Sequence, residues 1–167
     1  MSISQSLLPE FGHEMAGLRR VIERIPADRM DFRPHPKSFS LHDLANHLVS
    51  VPGWAHTTMT ETELDFGLPE TRARQPKPSD SVEGLLRTLD AGVEKALEAL
   101  SSASDEDFQV IWTLKNEGQM ILAMPRIAVY RGFVMNHLIH HRAQLSVYLR
   151  LLDVPVPSLY GPSADEG

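Results

Sequence analysis

Eight positions near the C-terminal end of the chain follow one another at alternating steps of three and four residues. Steps of this size place side chains on one face of an α-helix. The positions are Ile127, Tyr130, Val134, His137, His141, Gln144, Tyr148 and Leu151. Apolar and aromatic residues stand at both ends of this face, so we expect it to be buried against neighbouring helices. Its middle is polar, and two imidazoles one turn apart on a buried face can point at the same cation.

Three further segments have the apolar periodicity of amphipathic helices, and each has recognisable end signals. The first is predicted over residues 4–25, the second opens at Ser40, and the third starts around Asp80 and Glu83. Pro52 and Gly53 interrupt the second pattern, so we expect a kink or a short break there. The fourth helix, which carries the two histidines, is predicted to start at Pro125 and to end near residue 152.

The segment between the third and fourth helices has a different pattern. Val110, Trp112 and Leu114 alternate with their neighbours, and residues 116–118 (Asn-Glu-Gly) have the composition of a turn, which favours a small β-hairpin. Four amphipathic helices in one compact chain can bury their apolar faces only against one another. We therefore predict an all-α fold, a four-helix bundle with a small hairpin or loop insertion before the last long helix, forming a single domain over residues 1–167.

Composition narrows the classes of function. The chain has 167 residues, 16 basic and 22 acidic side chains and a net charge of −6, which disfavours a general nucleic-acid binder. It contains no cysteine, so disulfides, thiolate metal sites and a cysteine nucleophile are excluded. The sequence has neither a secretory signal pattern nor an apolar run near the roughly 20 residues of a membrane span. We therefore expect a cytoplasmic protein with no membrane partner.

A metal site needs at least one ligand besides His137 and His141, because a His-x3-His pair alone is weak evidence. Leu138 stands where a zincin motif would have its glutamate, which argues against a metalloprotease with its base on this helix. His47, at the edge of the apolar stripe of the second helix, is the best third candidate. The remaining histidines lie off the buried faces, near helix ends or between prolines: His13, His35, His42, His56 and His140.

Several neighbouring residues have two possible roles each. Asp43 either orients a histidine ring or caps the second helix, and Gln144 either contacts bound water or substrate or satisfies a nearby group. Arg142 either contacts an anionic substrate or pairs with an acid across a bundle or dimer surface. Three aromatic residues either line a pocket at the site or belong to the core: Trp54, Tyr130 and Tyr160.

Three passages, residues 37–47 (KSFSLHDLANH), 136–145 (NHLIHHRAQL) and 155–166 (PVPSLYGPSADE), follow one another across nearly the whole chain. In order and spacing they resemble the DinB family of metalloenzymes, also called the DinB/YfiT-like superfamily. The resemblance implies an up-down-down-up four-helix bundle, often dimeric, with a divalent metal held by one histidine of the second helix and two of the last long helix. In this sequence those ligands are His47, His137 and His141.

Three neutral nitrogen ligands leave a metal ion charged and open to a further molecule, which is the arrangement of a catalytic rather than a structural site. The ligand set accepts zinc, nickel, iron or manganese. The resemblance includes thiol transferases and hydrolases, so the leading hypothesis is a metal-dependent enzyme with thiol S-transferase or hydrolase-type activity on a small molecule, such as a low-molecular-weight thiol. We favour the transferase, because no general base accompanies the ligands. The alternatives are a non-catalytic, stress-related bundle that binds metal or a ligand, and a purely structural bundle. The resemblance also implies a homodimer.

Overall fold

The structure is a computed structural model that describes residues 2–167. Four long helices, α1 (Ile3–Ile22), α2 (Leu41–Thr60), α4 (Val82–Ser102) and α6 (His137–Leu151), alternate with shorter elements. These are the strand β1 (Glu63–Asp65), the helix α3 (Pro69–Ala73), the strands β2 (Ile111–Asn116) and β3 (Gln119–Pro125), the helix α5 (Arg126–Val129) and a π-helical segment (Tyr130–Asn136). Short 3-10 turns cover Ala27–Arg29 and Asp107–Gln109.

Serine side chains begin three of the long helices. The hydroxyls of Ser2, Ser40 and Ser81 accept a backbone N–H three residues further on, which satisfies one of the unpaired donors of the first turn. The predicted start of α2 after Ser40 is therefore confirmed. No break interrupts α2 at Pro52 and Gly53, since the helix continues from Leu41 to Thr60.

The prediction of an all-α four-helix bundle is wrong, because the described chain is an α+β fold with a three-stranded mixed sheet. The predicted hairpin is present as β2 and β3, joined by a turn in which Glu117 and Gly118 have φ of 49° and 80°. β1 pairs with β2 in parallel, which gives the order β1-β2-β3. A strand of three residues is too short to show alternation, and its partner lies about fifty residues further along the chain. Its pairing is therefore invisible to a periodicity argument.

Asp65, at the end of β1, connects this strand to the turn of the β2–β3 hairpin. Its carboxylate accepts the backbone N–H groups of Gly67 at 2.9 Å, Glu117 at 2.9 Å and Gly118 at 2.6 Å. Burial alone would raise the pKa of Asp65, but these three donors outweigh it and lower the pKa below its ordinary value. One side chain therefore fixes the position of the sheet edge against the turn.

The hydrophobic core lies between the long helices. Leucine side chains of α2 and α4, such as Leu44, Leu48, Leu85 and Leu89, are almost completely buried, and they pack with Phe11 of α1. Within residues 2–167, no helix is long and apolar enough to cross a membrane.

A buried ion pair joins α1 to α6 and to the C-terminal tail. Arg142, only 2% exposed, contacts the Glu14 carboxylate at 2.6 Å and donates to the Glu14 carbonyl at 3.0 Å and the Tyr160 hydroxyl at 2.6 Å. The Tyr160 hydroxyl donates in turn to Glu14 at 2.8 Å. Of the two roles predicted for Arg142, the structure shows the pairing with an acid. Gly17 makes room for the guanidinium, since a Cβ there would lie 2.8 Å from an Arg142 nitrogen.

Candidate metal centre

Two helices supply the three predicted histidines. His47 lies in the middle of α2, while His137 and His141 lie one turn apart at the start of α6. The π-helical segment ends directly before His137, and its side chains Tyr130 and Val134 are fully buried. Such π-helical segments are often found at functional sites, because they change the direction in which the following side chains point.

The three imidazoles lie together. Their ring centroids are 5.0 Å apart for His47 and His137, 4.7 Å for His47 and His141, and 4.5 Å for His137 and His141. One nitrogen of each ring lies within 4.8 Å of the others. The Nε2 atoms of His47 and His137 are 2.7 Å apart. At this distance they are a hydrogen-bonded pair, in which one ring donates its N–H to the lone pair of the other.

Burial favours the neutral form of His47 and His137. Burial is the main cause that lowers the pKa of His47 to about 4, and the neighbouring His141 and His137 contribute the rest of this shift. Burial also lowers the pKa of His137, with His141 and His140 adding to the effect. Both rings are therefore uncharged near pH 7, which is the state in which imidazole donates a lone pair to a metal.

Gln144 holds the third ring in a defined orientation. Its Oε1 lies 2.7 Å from Nδ1 of His141, and its Nε2 lies 3.1 Å from Nε2 of His140. An amide oxygen only accepts, so Nδ1 of His141 carries the proton and Nε2 keeps its lone pair. The distance thus supports the predicted role of Gln144 in satisfying a neighbouring histidine, in the way that outer-sphere groups orient metal ligands.

Two aromatic rings stand beside the three histidines. The Trp54 ring lies 5.6 Å from His47 and 5.4 Å from His137, and the Phe39 ring lies 6.0 Å from His47 and 6.1 Å from His141. Trp54 was predicted as a possible neighbour of the site. Phe39 was not, because it precedes α2 in an irregular segment where periodicity gives no direction.

Two cavities reach the histidines. The larger one, of about 1030 Å³, includes Trp54 and His137 in its wall. The smaller one, of about 500 Å³, is a more open surface depression that includes Phe39, His141 and Gln144. The larger volume matches the upper end of the range for small-molecule sites, about 300–1,000 Å³.

Other candidates from the sequence lie elsewhere. The Asp43 carboxylate contacts His42 at 3.3 Å and Arg33 at 3.6 Å rather than His47. The backbone N–H of Asp43 donates to the Ser40 hydroxyl that caps α2. Tyr130 is fully buried in the core, and the Tyr160 hydroxyl is bound to Arg142 and Glu14. Neither tyrosine therefore has the role of a pocket wall at the histidines.

The residues present fit a divalent transition metal. Three neutral imidazole nitrogens are a suitable donor set, and they leave at least one coordination position open. Two nitrogens bound to one tetrahedral zinc at 2.0–2.1 Å are about 3.3 Å apart, so His47 and His137 would have to separate by roughly 0.6 Å. A change of this size is within the reach of small side-chain rotations.

The fold and the site together define a class: a helix-rich α+β protein with a cluster of three histidines, two of which line separate cavities. The model of the DinB family matches residues 1–167. The chain therefore belongs to the DinB family, which confirms the resemblance seen in its sequence motifs. Among curated proteins no match is found.

Solved structures share this fold. A DinB-like protein from Bacillus cereus has a TM-score of 0.70 at 21% identity, over 95% of this chain and 98% of that one. A DinB-like protein from Bacillus subtilis has a TM-score of 0.72 at 16% identity, over 94% and 99%. A protein from Exiguobacterium sibiricum assigned to the DinB family has a TM-score of 0.65 at 21% identity, over 99% and 98%.

Proposed function

We propose that this chain is a metal-dependent enzyme in which His47, His137 and His141 bind one divalent transition metal ion, and that it transfers a low-molecular-weight thiol to a small-molecule electrophile. The convergence of three imidazoles on one point carries the proposal, and burial favours the neutral, metal-binding form of His47 and His137. Three imidazoles with ring centroids 4.5 to 5.0 Å apart crowd their nitrogen lone pairs into one partly buried site, and a shared cation would satisfy all of them.

The two cavities favour a transferase over a hydrolase. A transfer between two organic substrates needs space for both next to the reacting centre, whereas hydrolysis needs one organic substrate and water. His137 faces the larger cavity and His141 faces the smaller one, so two molecules can approach the cluster by different routes. Hydrolase-type activity is the second candidate, and the same three ligands would serve it.

The side chains of the site have distinct tasks in this proposal. A bound divalent cation would supply Lewis acidity, which lowers the pKa of a thiol or water at its open position. Gln144 keeps the proton of His141 on Nδ1, so that Nε2 is the ligand atom. Trp54 and Phe39 cover the rings from the sides of the two cavities and limit access of water.

Metal content is the first test. Purified protein should contain about one divalent metal ion per chain by elemental analysis, and the His137→Ala variant should lose it, because two imidazoles hold such ions far less tightly than three. His13→Ala is the matched control, since this exposed histidine contacts Tyr160 and not the cluster. Stoichiometric metal in His137→Ala would contradict the ligand assignment.

Activity is the second test. We expect conjugation of a chloro-dinitrobenzene with at least one of several low-molecular-weight thiols, dependent on added metal and lost in His137→Ala. Metal-dependent ester hydrolysis without any thiol transfer would support the hydrolase. Bound metal without either activity would support the non-catalytic binder.

The oligomeric state and cellular location stay predictions. The family resemblance favours a homodimer, and the sequence pattern favours the cytoplasm. The metal ion, whether zinc, nickel, iron or manganese, is a matter for the elemental analysis, because imidazole accepts all four.

A further inference from the structure

The wall of the larger cavity has the opposite charge to the chain as a whole. The chain carries 22 acidic and 16 basic residues. The cavity wall, in contrast, has five basic side chains, Arg72, Arg74, Lys77, Arg87 and Lys95, and one acidic side chain, Glu61. A concave surface lined by one sign of charge concentrates ligands of the other sign.

Three of these cations have no carboxylate partner among the described residues. Arg74 is paired with Glu61 at 3.1 Å, and Arg87 is paired with Glu83 one turn earlier on α4. Within residues 2–167 no salt bridge involves Arg72, Lys77 or Lys95, although each is exposed. Their charge is therefore available to a bound anion.

The rest of the wall is apolar. Trp54 and Phe133 contribute aromatic surface, and Leu64, Phe66 and Leu122 extend it toward the sheet. Phe66 is 43% exposed and Phe133 is 38% exposed, so both rings present apolar surface to the cavity that a ligand could cover. His137 is part of the same wall, so a molecule in this cavity reaches the histidine cluster.

We propose that the larger cavity binds a small organic anion, with an apolar, ring-sized body against Trp54, Phe66 and Phe133 and a carboxylate, sulfonate or phosphate group near Lys77 and Lys95. This proposal rests on the proposed function, since it names the substrate class of the same site. The combination of apolar wall and unpaired cations excludes a neutral hydrocarbon and a small inorganic anion as the best ligands, because each would use only half of the surface.

The test compares two probes that differ in charge. Anilinonaphthalene sulfonate is aromatic and anionic, and phenyl-naphthylamine has the same rings without the sulfonate. Fluorescence titration of the metal-free full chain should show that Lys77→Gln with Lys95→Gln raises the Kd of the anionic probe about tenfold, as expected for the loss of two exposed charge contacts. The Kd of the neutral probe should change by less than about twofold.

Two further variants locate the effect. Arg20→Gln with Arg29→Gln removes the same number of charges from exposed positions outside the cavity, and should change either Kd by less than about twofold. Ala91→Trp places a large side chain in the cavity wall, and should weaken both probes. Near-ultraviolet circular dichroism checks that each variant is folded.

The proposal is overturned if both probes respond equally to the lysine changes, if the Arg20 and Arg29 control has the same effect, or if Ala91→Trp leaves both probes bound. A further variant distinguishes a failure of this proposal from a failure of the proposed function. His141 lies outside this cavity, so His141→Ala should lose metal while retaining the preference for the anionic probe. Metal binding without anion preference overturns only the cavity proposal, whereas anion preference in a chain that binds no metal overturns only the enzyme proposal.

Discussion

The chemistry of the candidate site depends on where single protons lie. The three imidazoles could be recognised from the sequence as residue types, but the tautomer that each adopts depends on a neighbour. For His141 that neighbour is Gln144, whose Oε1 fixes the proton on Nδ1. Gln144 stands three residues after His141 on the same helix, so its proximity was predictable, while its orientation was decided by the packing around it.

Removal of the Gln144 amide should weaken metal binding without unfolding the protein. We expect Gln144→Ala to lower metal affinity about tenfold, because an unrestrained His141 ring must be ordered when the ion binds. Affinity can be measured by competition with a chelator.

His140→Ala is the control for this measurement. It removes the other partner of Gln144 but keeps the contact with His141, so we expect a smaller loss. Affinity in Gln144→Ala equal to that of the parent chain would show that the contact does not orient the ring.

Arg142 illustrates a residue whose role the sequence left open. Its position beside His141 suggested contact with substrate as readily as an ion pair. The structure buries it against Glu14 and Tyr160, on the side of α6 that faces α1. A charged group at this depth is tolerated only with a close partner, and the partner comes from a residue 128 positions away.

At the scale of elements, the π-helical segment changes which face of the last helix is buried. The alternating pattern predicts one buried line through His137, His141, Gln144, Tyr148 and Leu151. In the structure the buried line continues from Tyr130 and Val134 through Leu138, Arg142, Leu145 and Leu149. Of the predicted line, Tyr148 is buried as expected, whereas Leu151 is 57% exposed. A π turn contains an extra residue, so the face that follows is rotated. The histidines therefore lie at the edge of the core, where both cavities reach them.

The approach of α1 to α6 gives a prediction at the same scale. Gly17→Ala should destabilise the protein, because the new methyl group would lie 2.8 Å from an Arg142 nitrogen and push it away from Glu14. Gly12 is on the same helix, and a Cβ there meets nothing within 4 Å. Gly12→Ala should therefore stabilise the protein by about 0.5–1 kcal/mol through helix propensity.

Urea unfolding of both variants measures the difference. We expect Gly17→Ala to have the lower midpoint, by an amount equivalent to about 1–3 kcal/mol, because a buried ion pair must be displaced. Equal stabilisation by the two alanines would mean that Arg142 moves aside at no cost.

At the scale of the whole molecule, two carboxylates of the C-terminal tail bind arginines at the ends of α1 and α6. The Asp165 carboxylate binds Arg150 and the N–H of Val156, and the Glu166 carboxylate binds Arg24 and the N–H of Ser158. The hydrogen bond from Arg150 is the main cause of a lowered pKa for Asp165, and the N–H of Ser158 is the main cause for Glu166.

These lowered pKa values predict that the contacts of Asp165 and Glu166 weaken in acid. A carboxylate whose pKa is lower in the folded state binds fewer protons there, so its contribution to stability is present above the ordinary value of about 4 and is lost as the pH falls below it. The parent chain should therefore lose more stability between about pH 6 and about pH 3 than a variant with Asp165→Asn and Glu166→Gln.

The urea midpoint at the two pH values provides the measurement. The double variant should be less stable than the parent near neutral pH and should differ less from it in acid. If both chains lose the same stability on acidification, the two tail carboxylates make no contribution.

The sheet shows why part of the fold escaped prediction. The hairpin was predictable, because alternation and an Asn-Glu-Gly turn are local signals. β1 has three residues, and it is held by β2 and by the Asp65 contacts with the turn. Its existence depends on a pairing across about fifty residues, which no local pattern encodes, so the fold class was mistaken.

By itself, the sequence determined the family, the helix starts at Ser40 and near Ser81, and the three histidines as a candidate ligand set, since all of these depend on residue types at short, regular spacing. Only the tertiary structure decided the pairing of β1 with the hairpin, the rotated face of the last helix, the burial of Arg142 and the positions of His137 and His141 in the walls of two separate cavities. Each of these arises from contacts between distant parts of the chain, and such contacts are selected by the packing of the whole core rather than by any segment alone.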